Sequence, residues 1–240
     1  MAQMMTASLD TGKNHTIYVN KKNEHDQYYF ELEEWMRDSC DALRYLIAAD
    51  NKESKYSMSS NKTALKYYNK GGDAMNENNY TEAALWFRKA VEEDSLFAFA
   101  WDNLGISRRY IGKYAEAIEA YNKSLSLDPN GATPLQNLPI VYQLLKDWDN
   151  ALLSYKKLIA IYPDNAEGYY GAAQTYLTGK QDLEQSLDYM CKAYNIYTKQ
   201  SSPYRADAQN HIRYIYAEMK KAGKEDRFNE ILSNNNINTK

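Results

Sequence analysis

Catalysis requires side chains that converge, so the nucleophiles, acids, bases and metal ligands of this 240-residue chain are the first residues to weigh. Its three histidines, His15, His25 and His211, are scattered, and each reads as solvated or partly packed. The patterns HExxH, GxSxG, GxxxxGK[ST] and GxGxxG are missing, so neither a zinc protease helix, a nucleophile elbow nor a phosphate loop is encoded. Asp147-Trp148-Asp149-Asn150 opens like a calcium loop. Ala151 stands where that loop needs its third acidic ligand and Leu152 where it needs glycine, which rejects the reading. Glu92 and Glu93 fall on a predicted surface face, and Cys40 and Cys191 form neither a CxxC pair nor a metal spacing. The chain is therefore read as a non-enzyme without metal or cofactor. The polar residues that do recur are amides: Asn69, Asn103 and Asn137, each 34 residues from the next. An amide donates to a carbonyl and accepts from an N–H, which suits it to the main chain of an extended peptide. The alternative is that these are soluble residues on helix surfaces in an asparagine-rich chain.

The elements that would position them share the same spacing. Ala83, Ala117 and Ala151 are 34 apart, as are Phe87, Tyr121 and Tyr155, and Tyr80, Tyr114 and Trp148. A further ladder runs through Tyr67, Trp101, Leu135 and Tyr169, followed by the compact residues Gly71, Gly105, Pro139 and Ala173. Within each period apolar residues fall three and four apart twice over, which predicts two amphipathic helices. Small residues in the first helix and alanines in the second let the two backbones approach, while aromatics fill the space to the next hairpin. Asp128-Pro129-Asn130 and Pro163-Asp164-Asn165 stop one helix and start another. A single hairpin cannot bury its apolar face, so the units must stack.

The run Trp101-x2-Leu104-Gly105, then Ala117-x3-Tyr121, then Pro129 resembles the tetratricopeptide repeat. The resemblance implies an all-α fold, a right-handed superhelical solenoid of about four stacked hairpins flanked by capping helices. Repeats are expected at 64–97, 98–131, 132–165 and 166–200, somewhat over half the chain. Arg108 stands where the family usually has tyrosine. Pro139 interrupts the first helix of the third repeat and predicts a kink. The fourth repeat has one extra residue near Gln181, so that Ser186, Met190 and Ala193 take its later ladder positions.

In the family the first helix of each hairpin lines a concave groove. Asn69, Asn103 and Asn137 then resemble the asparagines that clamp extended peptides in other arrays, such as the one attached to the O-linked N-acetylglucosamine transferase. The ladder ends at Gly171. A net hydrogen bond contributes about 0.5–1.5 kcal/mol, whereas micromolar affinity requires about 8 kcal/mol. Apolar anchors must supply the rest, and Tyr68, Phe99, Ile106, Ile140 and Tyr170 share the predicted face. Arg109 is the cation expected near the groove, where it would meet an acidic side chain or a terminal carboxylate. The clamp that captures chaperone C-termini is not expected. Tyr68 and Gly72 stand where its first repeat needs lysine and asparagine, and Thr133 and Asn137 replace both basic residues of its third; Asn103 alone matches.

The flanks and composition complete the reading. Residues 1–25 are expected to be a disordered arm, and 26–63 an amphipathic helix, with Leu32, Trp35, Met36, Leu43, Leu46 and Ile47 on one face, plus a linker. That helix either caps the array or mediates self-assembly into a homo-oligomer. Residues 201–232 predict a degenerate capping hairpin and 233–240 a frayed tail. The composition, 44% hydrophobic and 25% charged, is that of a globular protein, and no stretch is long and apolar enough to span a bilayer. A net charge of −3 lacks the basic excess that nucleic acid demands. Met1 to Asn20 shows no apolar leader core, which points to the cytoplasm or to export after a leader has been removed. The function expected is an adaptor or scaffold that holds a protein or peptide partner. The alternative is a non-catalytic accessory subunit of an enzyme or cell-envelope complex.

Overall fold

A computed structural model describes residues 2–8, 14–20 and 58–237. The chain divides into two compact units, Met1–Arg44 and Tyr45–Lys240. In the first, β1 (Ala2–Ser8) and β2 (Asn14–Asn20) pair antiparallel, from Ala2 opposite Asn20 to Ser8 opposite Asn14. Both strands lie within residues 1–25, which the sequence reading expects to be a disordered arm. Thr16-Ile17-Tyr18-Val19 is a β-branched and aromatic run, as a strand prefers. The amphipathic helix expected within 26–49 lies outside the described residues.

The second unit is all-α. Its first hairpin is α1 (Lys62–Asn76) and α2 (Tyr80–Glu93), its second α3 (Ala98–Tyr110) and α4 (Tyr114–Leu127). The third is α5 (Ala132–Leu144) and α6 (Trp148–Ile161). The fourth pairs α7 (Ala166–Thr175), prolonged by a π-helical turn over Tyr176–Lys180, with α8 (Leu183–Lys199). A fifth pair of helices follows, α9 (Arg205–Lys221) and α10 (Glu225–Asn234). Each helix packs on the one before and the one after, and α3 also touches α5, as α5 touches α7, so the first helices form a continuous wall.

Local chemistry sets the helix ends. Asn61, Asn79, Asp147, Asn165 and Asp182 cap their helices with side-chain oxygens that accept backbone N–H groups of the first turn. Between the two helices of a hairpin, one residue turns left-handed: Asn78 (φ 58°), Gly112 (φ 75°) and Lys146 (φ 59°), again 34 apart. The next N–H closes the helix by bonding five residues back: Asn79 to the Ala74 carbonyl, Lys113 to Arg108, Asp147 to Tyr142. In the fourth hairpin the left-handed residue is Gln181 (φ 55°), and Asp182 bonds six residues back, to Tyr176. The extra residue inferred from the sequence is thus absorbed as the π turn.

The core is distributed along the stack. Three apolar clusters succeed one another, around Phe87 and Leu104, around Tyr121, Tyr155 and Leu158, and around Leu187, Met190 and Ile215. The alanine ladder is fully buried at Ala83, Ala117 and Ala151, and Ser186 takes the fourth place, donating to the Ala173 carbonyl at 2.9 Å. Helix α5 runs unbroken through the buried Pro139. Near the end of the described chain, Asn235 is buried and donates to Asp188 at 2.9 Å, and Ile237 packs on the last cluster.

Candidate functional site

The wall of first helices carries the residues singled out by spacing, and the structure gathers them into two groups. In the first, Asn103 on α3 donates through Nδ2 to the Tyr68 hydroxyl on α1 at 3.1 Å. The Tyr68 ring leans on Phe97 (4.8 Å between centroids) and Phe87 (5.5 Å), and this burial pushes its hydroxyl pKa up. Asn69 is exposed one residue further on, and Phe99 is half-buried against the same cluster.

The second group lies on α5 and α7. Asn137, Ile140 and Tyr170 line an open cavity of about 460 Å³ together with Gln136, Gln143, Glu167 and Gln174. Asn137 donates through Nδ2 to the Thr133 carbonyl of its own helix at 2.9 Å. Of the three asparagines, then, two already direct a donor within the protein. Their remaining N–H and carbonyl oxygen are the groups a ligand would meet.

Between the groups, the floor of the wall follows a rule that the sequence reading missed. The second-helix aromatic reaches the residue near the end of its own first helix. In the first hairpin both partners are apolar: Met75 packs on the cluster containing Phe87. In the second, the Arg109 guanidinium lies beside the buried Tyr121 hydroxyl, though outside ordinary hydrogen-bond geometry, and Arg109 Nε is buried. Arg109 is therefore a half-buried partner of the wall. In the third, the Tyr155 hydroxyl donates to Gln143 Oε1 at 2.9 Å. Gln143 Nε2 donates in turn to Thr175 Oγ1 at 2.7 Å, and Thr175 donates to the Gly171 carbonyl at 2.8 Å. The fourth hairpin returns to apolar partners, with Leu177 packed on the cluster that holds Met190. The matched ladders Met75-Arg109-Gln143 and Phe87-Tyr121-Tyr155 carried this signal, polar opposite polar and apolar opposite apolar.

The end of the asparagine ladder also has a cause. A Cβ on Gly71 would meet the Phe87 ring at 2.7 Å, and one on Gly105 the Tyr121 ring at 2.5 Å. In the third hairpin Pro139 fills that compact position, and the Tyr155 ring lies against Gly171 of the next hairpin, 2.2 Å from where a Cβ would be. Asparagine could not replace Gly171 without displacing Tyr155. Ile106 packs against the middle cluster and is half-buried.

No described helix is long and apolar enough to cross a membrane, and the described residues contain no cluster of three or more metal-ligating side chains. Residues 98–130 and 140–165 each match the tetratricopeptide repeat family. No curated protein matches the chain. Among solved structures, MamA residues 41–end from Desulfovibrio magneticus RS-1 superposes with a TM-score of 0.61 at 19% identity, covering 74% of this chain and 95% of that one. A second MamA structure gives 0.56 at 25% identity, covering 57% and 80%. A tetratricopeptide repeat protein from Parabacteroides merdae ATCC 43184 gives 0.59 at 21% identity, covering 72% and 67%. These likenesses carry the fold.

Proposed function

We propose that this chain, which matches the tetratricopeptide repeat over residues 98–130 and 140–165, is an adaptor that holds an extended peptide or a helix of its partner along the wall of first helices. The observation that supports this reading is the open cavity between α5 and α7. There an isoleucine and a tyrosine stand among the amide side chains Gln136, Asn137, Gln143 and Gln174. Apolar anchors with a few convergent polar groups are what a small recognition site requires. The amides serve a peptide backbone whatever its side chains, so recognition tolerates variation, and the anchors contribute most of the affinity.

Chemistry by the array itself has no support in this site. Its tyrosines are pushed up by burial, away from the range where they would serve as bases. The test is selection of peptides from a displayed random linear library on the wild-type chain, followed by titration against Asn137→Ala/Ile140→Ala. Peptides that bind the wild type and weaken at least tenfold on the variant support the groove. Binding indifferent to the variant would overturn it, provided circular dichroism shows the variant folded.

A further inference from the structure

The cavity between α5 and α7 is uncharged along most of its lining, and its one charged side chain among the described residues is Glu167, at the start of α7. Around that carboxylate the structure assembles an aromatic corner. The Tyr197 ring is buried at 3% exposure and its hydroxyl donates to Glu167 Oε1 at 2.6 Å, which fixes the orientation of the carboxylate. Tyr170, half-exposed in the cavity, stands edge-on to Tyr197 (6.4 Å, 66°) and to His211 (5.3 Å, 80°). Tyr204, largely exposed, adds a ring 6.0 Å from Tyr197.

A second carboxylate, Asp207, stands one turn before His211 on α9, and His211 Nδ1 lies 3.1 Å from the Asp207 carbonyl and 3.3 Å from the Tyr170 hydroxyl. Neither carboxylate takes part in an ion pair among the described residues. On α9, Arg213 contacts Asn210 at 3.4 Å and Arg205 lies exposed at the start of the helix. The Glu167 carboxylate supplies negative charge at this corner, and the ring faces add their own negative potential.

We propose that this end of the groove is a subsite for a cationic side chain, a lysine or arginine of the bound peptide. The proposal rests on the groove reading above and names the partner chemistry that the groove selects. A carboxylate held by Tyr197 needs no reorganisation to accept an ammonium or guanidinium, and charge-assisted bonds are the stronger kind. The Tyr170 ring meets the aliphatic stem and the charged head together. An acidic side chain at the same register would meet the Glu167 carboxylate and be rejected.

The experiment uses the full chain and peptides selected from a displayed random linear library, resynthesised with acetylated N-termini so that only side chains carry positive charge. Glu167→Gln/Asp207→Asn removes the charges while leaving an acceptor for Tyr197. The expected result is enrichment of lysine or arginine at one register position. Affinity should fall about tenfold on the variant and also when salt is raised in the wild type. Peptides that lose affinity on Asn137→Ala/Ile140→Ala, lack a basic position and bind the charge variant as well as the wild type would overturn the subsite and leave the groove standing. Selection of peptides indifferent to both variants, or of none, would overturn both.

Discussion

At Gly105 the absence of a side chain is a packing requirement, because the Tyr121 ring occupies the space a Cβ would need, 2.5 Å away. At Gly72 nothing lies within 4 Å of that point. Two substitutions of the same kind should therefore have opposite signs. Gly72→Ala removes backbone freedom from the unfolded chain and should stabilise by about 0.5–1 kcal/mol. Gly105→Ala overpacks the ring and should destabilise by about 1–3 kcal/mol. Urea midpoints of the two variants test this; a stabilised Gly105→Ala would mean that Tyr121 can move. Individual groove residues were legible to different degrees. Asn103 and Asn137 sit on the wall as their spacing requires, but their hydrogen bonds to Tyr68 and Thr133 were not legible. Spacing specifies a face, whereas a hydrogen bond depends on rotamers fixed by neighbours from other hairpins.

The helices repeat their ends as well as their faces, and one end is incomplete. Asn79 accepts the Glu82 N–H at 3.2 Å and its own amide donates to Glu82 Oε2 at 2.9 Å, a reciprocal cap at the start of α2. Thirty-four residues on, Lys113 and Glu116 stand in those places, and Lys113 supplies no cap, only a partly exposed ion pair at 3.2 Å. Exposed pairs contribute about 0–1 kcal/mol, and a good cap about 0.5–2 kcal/mol. Lys113→Asn should thus raise stability by about 0.5–1 kcal/mol, measured as an upward shift in the thermal midpoint. An unchanged or lowered midpoint would show that the ion pair outweighs the cap. The π turn at Tyr176–Lys180 belongs to this scale too. The extra residue near Gln181 was legible as a break in period, but its form was not. Gly179, against which the Trp148 indole packs, shows why the extension is tolerated there: a Cβ would lie 2.4 Å from that ring.

Across the whole molecule each hairpin is stabilised by its neighbours, so the last one depends on contacts made from one side. Helix α10 covers the final cluster with Phe228, Ile231 and Leu232, and Glu184 on α8 ties it down through Lys224 and Arg227, both at 2.9 Å. The bond from Lys224, then that from Arg227, holds the Glu184 carboxyl below its usual range. A carboxylate depressed in the folded state stabilises above its unfolded pKa of about 4.3, and that contribution is lost as pH falls through the folded value. The urea midpoint of wild type should therefore exceed that of Glu184→Gln at neutral pH. The gap should narrow as pH falls below the unfolded value of about 4.3 and close only once pH is below the depressed folded value, where both side chains are neutral. A gap that persists in acid would assign the effect to packing.

The periodicity alone determined that this chain is a stack of helical hairpins, because apolar residues repeating every 34 positions can be buried together only by stacking identical units. It also located the irregular fourth repeat. Tertiary structure alone decided how the wall of first helices is built. Gly171 ends the asparagine ladder because Tyr155, with Pro139 in its hairpin's compact position, lies against the next hairpin. Glu167 becomes part of an aromatic corner because Tyr197, 30 residues away, is brought beside it, and His211 beside Tyr170. Neither fact has a period, and each arises where side chains from different units compete for one space.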